Sequence, residues 1–95
     1  MRKKIITLGR KKLSGYEFTL GAKKLIFILA KKGYIMCGYL NIKAANEFKD
    51  TACKVTGVNS LEDMLKAVVS EVSFQAGEAG IKKGEKVADA LKKLS

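Results

Sequence analysis

Along the first forty residues the apolar positions fall in short, strand-like runs, and beyond residue 41 helical spacing joins them. Residues 3–8, with Ile5 and Ile6 in the middle, and residues 16–20, where aromatic and polar side chains alternate, predict strands with one exposed face. Residues 9–15, which contain Arg10-Lys11-Lys12, are expected to connect them. Residues 25–30 are apolar at every position, a pattern that suits a strand covered on both faces or buried in an interface. Lys31-Lys32-Gly33 predicts a tight turn in which glycine takes a positive φ, and residues 34–40 return as the partner strand. Period-two geometry places Ile35, Cys37 and Tyr39 on one face of that strand and Tyr34, Met36, Gly38 and Leu40 on the other. Neither face is polar.

Asn41 reads as the cap of a helix running to about residue 49, with Ile42, Ala45 and Phe48 along one side. A short strand over residues 53–58 follows. Ser60, with Glu62 and Asp63 in the first turn, starts a second helix whose inward side is Leu61, Met64, Leu65 and Val68. Residues 69–76 predict a further strand, and residues 85–94 a last helix with a stripe of Val87, Ala88, Leu91 and Leu94. Helices enter only after an initial run of strands, so the expected class is α+β. The expected sheet is mixed and largely antiparallel, of about six strands. Three helices pack mainly on one face, and the hairpin of residues 25–40 lies at the centre.

The 95 residues suffice for one domain, residues 1–95, burying roughly 60 to 65% of its unfolded surface. With 47% apolar residues and no proline, the chain has no linker or disorder signature. Its longest apolar runs are far shorter than the ~20 residues of a membrane span, and no cleavage site follows the basic start, so a cytoplasmic protein that does not enter a membrane is expected. There is no histidine, which removes Ser-His-Asp and Cys-His catalysis and all histidine metal ligation. Cys37 and Cys53 fit no Cys-x-x-Cys pattern and cannot close a tetrahedral zinc site in one chain, although a symmetric dimer could supply four thiolates. No metal and no cofactor is expected. The net charge of +10 is concentrated: residues 1–32 carry +9 and residues 33–95 only +1.

Gly33-Tyr34-Ile35-Met36-Cys37-Gly38, then Leu40 and Asn46-Glu47, resembles the signature of the YunC-like family of small uncharacterised bacterial and archaeal proteins. Gly57-Val58, the capped helix from Leu61, residues 71–74 and Gly80-Ile81-Lys82 with Gly84 continue the resemblance in the same order. It spans roughly residues 25–95, and the first 24 residues match weakly. The resemblance implies a small α+β domain of unknown activity and carries over no catalytic residue.

Four candidate sites follow from the residues. Cys37 between apolar neighbours and Gly38 is a weak catalytic candidate, because no histidine can act as its base; a small buried hydrophobe is the favoured reading. Arg2, Lys3, Lys4, Arg10, Lys11 and Lys12, with Lys23-Lys24 and Lys31-Lys32, can line an edge that attracts nucleic acid or another polyanion, with Tyr16 and Phe18 adding stacking if exposed. Lys82, Lys83 and Gly84 precede a helix and can hold a small anion. The eight acidic residues beyond Glu17 read as solvated helix surface. A non-catalytic binding or assembly module is the favoured function, and an enzyme using Cys37 the least favoured. The two-sided apolar hairpin of residues 25–40 points to a homo-oligomer.

Overall fold

The computed structural model of the chain describes residues 1–38 and 41–95. Ten elements follow in order: β1 Arg2–Leu8, β2 Lys11–Leu20, β3 Lys23–Leu29, β4 Tyr34–Met36, α1 Ile42–Glu47, β5 Ala52–Lys54, α2 Leu61–Lys66, β6 Glu71–Val72, α3 Phe74–Glu78 and α4 Val87–Leu94. The strands form one sheet in chain order. Every neighbouring pair is antiparallel except β4 and β5, which run parallel with α1 as their crossover. The class is α+β, as the pattern implies, and β3 and β4 are the two central strands.

Alternation along the strands separates two faces. Ile6, Leu13, Ile26, Ile28, Ile35 and Cys53 point inward and join Leu61 and Met64 of α2, Ala76 of α3, and Val87, Ala90, Leu91 and Leu94 of α4 in the main core. On the outer face only α1 packs: Ile42 and Ala45 cover Met36 and Ala52, with Tyr34 beside them. Four helices rather than three therefore cover the sheet, three of them from the inner side. The helix the sequence did not foretell is α3. Ser73 Oγ accepts from the Ala76 amide at 3.2 Å and from the Ala52 amide at 2.9 Å, so capping turns the expected strand of residues 69–76 into two strand residues and a helix.

Other boundaries move for local reasons. The expected loop of residues 9–15 is a two-residue turn, with Gly9 at φ +62°, and β2 begins at Lys11. Gly15 lies within β2, and because a Cβ there would stand 2.8 Å from Leu61 Cδ2, glycine lets α2 approach the sheet. Gly33 does not adopt a positive φ. Instead its Cα faces the Thr51 carbonyl, which accepts from the Tyr34 amide at 3.0 Å and leaves no room for a side chain. Helix α1 stops at Glu47, with Lys49 at φ +58°, and this leaves Phe48 77% exposed rather than inward. The strand expected over residues 53–58 shrinks to β5, and α4 starts at Val87, two residues late. Val68 lies beyond α2 and is exposed, and on α4 it is Ala90, not Ala88, that completes the buried stripe. Expectations for Tyr39 and Leu40 lie outside the described residues.

Candidate functional site

The open part of the outer face is the first candidate region. Strand register places Lys3, Ile5 and Thr7 of β1, Lys12, Ser14, Tyr16, Phe18 and Leu20 of β2, and Lys23, Phe27 and Leu29 of β3 on that side, where α1 does not reach. The Tyr16 and Phe27 rings stack at a centroid distance of 5.1 Å, and Phe18 stacks on Phe27 at 6.0 Å. Lys3 Nζ lies 5.7 Å from the Tyr16 ring centroid, in cation–π reach. Around this stack Ile5, Leu20 and Leu29 remain 51%, 46% and 43% exposed. β3, apolar from Leu25 to Leu29, is thus covered by its own chain on one face only.

The basic candidates are dispersed. Arg2 forms a forked pair with Glu62, at 2.9 and 2.6 Å, and also reaches Glu17 Oε1 at 3.0 Å; Lys4 Nζ reaches Glu62 Oε2 at 3.1 Å. This contact raises the Arg2 pKa and, chiefly through the hydrogen bond from Arg2, holds the Glu62 carboxyl well below the usual carboxylate range. Buried Glu17 also accepts from the Leu61 amide at 2.6 Å, so the cluster clamps the start of α2 to β1 and β2. Lys11 and Lys12 meet Lys31 and Leu13 around a second, smaller cleft of about 310 Å³. Ahead of α4, the Lys82 amide donates to Glu85 Oε1, which also accepts from Lys93 Nζ at 2.9 Å. The chain's own carboxylate thus fills the position proposed for an anion beside Lys82, Lys83 and Gly84. Hydrogen bonding from Lys93 depresses the Glu85 pKa.

The second region is a cleft of about 540 Å³ lined by Lys23, Lys24, Cys37, Gly38, Gly57, Val58 and Asn59. It lies beyond the carboxyl ends of β4 and β5. Cys37 forms part of its floor and is only 3% exposed; its Sγ accepts from the Ile26 amide at 3.3 Å and lies 4.0 Å from the Lys24 carbonyl oxygen. Cys53 is fully buried beneath the sheet, and burial, with Glu85 as a smaller influence, pushes its thiol up to about 11. Both thiols point into the fold, so neither is placed to share a metal with a second copy. Among the described residues no three His, Cys, Asp or Glu side chains cluster as metal ligands. The sequence sets Lys23 and Lys24 in the basic edge but not beside Cys37, because the register that brings the start of β3 there is not visible in it.

These features can be set beside known proteins. A family described as a domain of unknown function (DUF1805) matches residues 36–94. The uncharacterised protein YunC of Bacillus subtilis is 32% identical over 91 residues, with 86% of this chain and 90% of that protein covered. The chain belongs to this YunC-like family. It is also similar to a protein of unknown function from Thermoplasma acidophilum, whose crystal structure gives a TM-score of 0.94 at 39% identity over 99% of this chain and 92% of that one. The family match contains Cys37, Gly38 and Gly57 to Asn59 of the cleft, while the aromatic face lies ahead of it. None of these relatives carries an assigned activity. No helix among the described residues is long and apolar enough to cross a membrane.

Proposed function

We propose that the domain is a non-catalytic assembly module, and that a second copy of the chain covers the open face of β1, β2 and β3. The observation that carries this reading is the stacked Tyr16, Phe27 and Phe18 cluster ringed by Ile5, Leu20 and Leu29, each more than two-fifths exposed. A contiguous apolar sheet face is an aggregation hazard unless it is covered whenever the protein is present. The one polypeptide guaranteed to accompany the chain is another copy. Two such faces can pack about 10 Å apart, with Lys3 kept over the Tyr16 ring and Lys12 and Lys23 at the rim keeping their ammonium groups in water. Light scattering tests this directly. The wild type should run as an oligomer at micromolar concentration, and Ile5→Lys combined with Leu29→Lys should give a folded monomer. A wild type that stays monomeric, or a variant with unchanged mass, removes the reading.

A second reading, binding to single-stranded nucleic acid, is favoured by the same three lysines around the aromatic rings. It ranks below assembly because the Lys3 ammonium already occupies a face of Tyr16 and because exposed aliphatic side chains add nothing to base stacking. It requires affinity for oligouridylate that falls steeply with salt, and absence of binding at about 50 mM salt ends it. An enzyme using Cys37 requires an accessible thiol. Alkylation of folded protein by iodoacetamide at Cys37 would revive that possibility, and protection is the expected result.

A further inference from the structure

The cleft above Cys37 occupies a position with a topological cause. Strands β4 and β5 are parallel neighbours, and the chain leaves them in opposite directions: after β4 it turns to α1 on the outer face, after β5 to α2 on the inner face. Where outgoing connections diverge in this way, a gap must open beyond the carboxyl ends of the two strands, and such crevices are where open sheets hold ligands. Here the gap measures about 540 Å³, within the range of small-molecule sites.

Its lining has one sign of charge. Lys23 and Lys24 both line it, from the two faces at the start of β3, no carboxylate does, and among the described residues Lys23 has no acidic partner within ion-pair distance. Lys24 Nζ is 4.0 Å from Glu17 Oε2, the long limit of an ion pair, and Glu17 is already engaged by Arg2 and the Leu61 amide. In the same lining, the amides of Gly57 and Val58 donate to no acceptor among the described residues. The backbone is bare on this side: a Cβ at Gly57 would meet nothing within 4 Å, and one at Gly38 only Thr56 Cγ2 at 4.0 Å. Two lysines and two amides that are unpaired among the described residues, with no arginine in the lining, suit a tetrahedral dianion better than a planar carboxylate. We infer that this cleft binds a small phosphate ester, with Lys23 and Lys24 neutralising the phosphate and the Gly57 and Val58 amides donating to its oxygens.

Glucose 6-phosphate, inorganic phosphate and glucose serve as probes, followed by amide chemical shifts. The expected result is saturable shifts at Gly38, Gly57, Val58 and Asn59 with glucose 6-phosphate and none with glucose. Saturation by inorganic phosphate alone at equal affinity would identify free phosphate as the ligand and overturn the ester. Lys23→Gln with Lys24→Gln should weaken binding by about tenfold or more, whereas Lys31→Gln with Lys32→Gln, an equal change of charge elsewhere, should leave it within about twofold. Gly38→Ala, for which the fold has room, should narrow the cleft and weaken binding without loss of stability. Shifts that rise linearly without saturation, that are as large around Lys11 and Lys12, or that both lysine pairs abolish alike would show only charge attraction and overturn the proposal.

Discussion

Ile28 and Leu29 are neighbours in β3 with similar side chains, yet one is fully buried and the other 43% exposed. The difference belongs to the two faces of the sheet. The inner face is closed by α2, α3 and α4 from within the chain; the outer face is closed by α1 over β4 and β5 and left open over β1 to β3. An apolar run at consecutive strand positions therefore says that both faces want cover, not that one chain supplies both. That distinction makes the open half the part of the molecule with work left to do.

The contrast is sharpest in paired substitutions. Ile28→Ala should cost about 3 kcal/mol in urea unfolding, because it empties a site packed from every side. Leu29→Ala should cost less than about 0.5 kcal/mol in the dilute chain and act instead on the oligomer. Equal losses at the two positions would mean that the faces do not differ. A smaller effect separates Gly15 from Ser14 in β2. Gly15→Ala drives a methyl against Leu61 Cδ2 and Ile6 Cδ1 and should cost about 1 to 2 kcal/mol, while Ser14→Ala on the open side should be near neutral.

The smallest expected effect is in pH, and it comes from the covered strands β4 and β5. Burial pushes Cys53 up to about 11, and burial together with the hydrogen bond to Asp50 Oδ2 at 2.7 Å pushes Tyr34 up to about 12. Both groups fold in their neutral forms. Their stabilisation is complete below their ordinary values of about 9 and 10 and is lost as pH climbs to 11 and 12. Thermal unfolding followed from pH 8 to 12 should show this decline. Cys53→Ala with Tyr34→Phe should flatten it, and an unchanged slope in that variant would point to other groups. Glu62 acts in the opposite sense: its pKa is depressed, so its share of the clamp on α2 is present above the usual carboxylate range and is lost progressively as pH falls below it.

How far the sequence reveals this follows from which interactions are local. The caps at Asn41 and Ser60 are legible because the capping side chain and the amide it meets lie within three residues, and both bonds form as expected, at 2.7 and 3.0 Å. The strand alternation that divides Ile35 and Cys37 from Tyr34 and Met36 is equally local. The α3 helix is not legible, because Ser73 is fixed by Asp50 and Ala52, more than twenty residues away, as much as by its own turn. Gly33 looks like a turn glycine in the sequence but is required by the distant Thr51 carbonyl instead. The cleft was hidden for the same cause: Lys23 and Lys24 meet Cys37 and Gly57 only through sheet register. Phe48 and Phe74, at 77% and 68% exposure, turn outward where α1 stops at Glu47 and α3 starts after Ser73, limits that the apolar pattern does not mark.

The central claim is that the aromatic face of the β1 to β3 sheet meets its own copy. Its most direct test is an isotope-filtered NOE experiment on a mixed sample of labelled and unlabelled chains. Cross-peaks between the Ile5 and Leu29 methyl groups of one copy and the Tyr16, Phe18 or Phe27 rings of another are the predicted result. Intermolecular cross-peaks confined to other surfaces, such as Phe48 and Phe74, or none at all in concentrated solution, would contradict it.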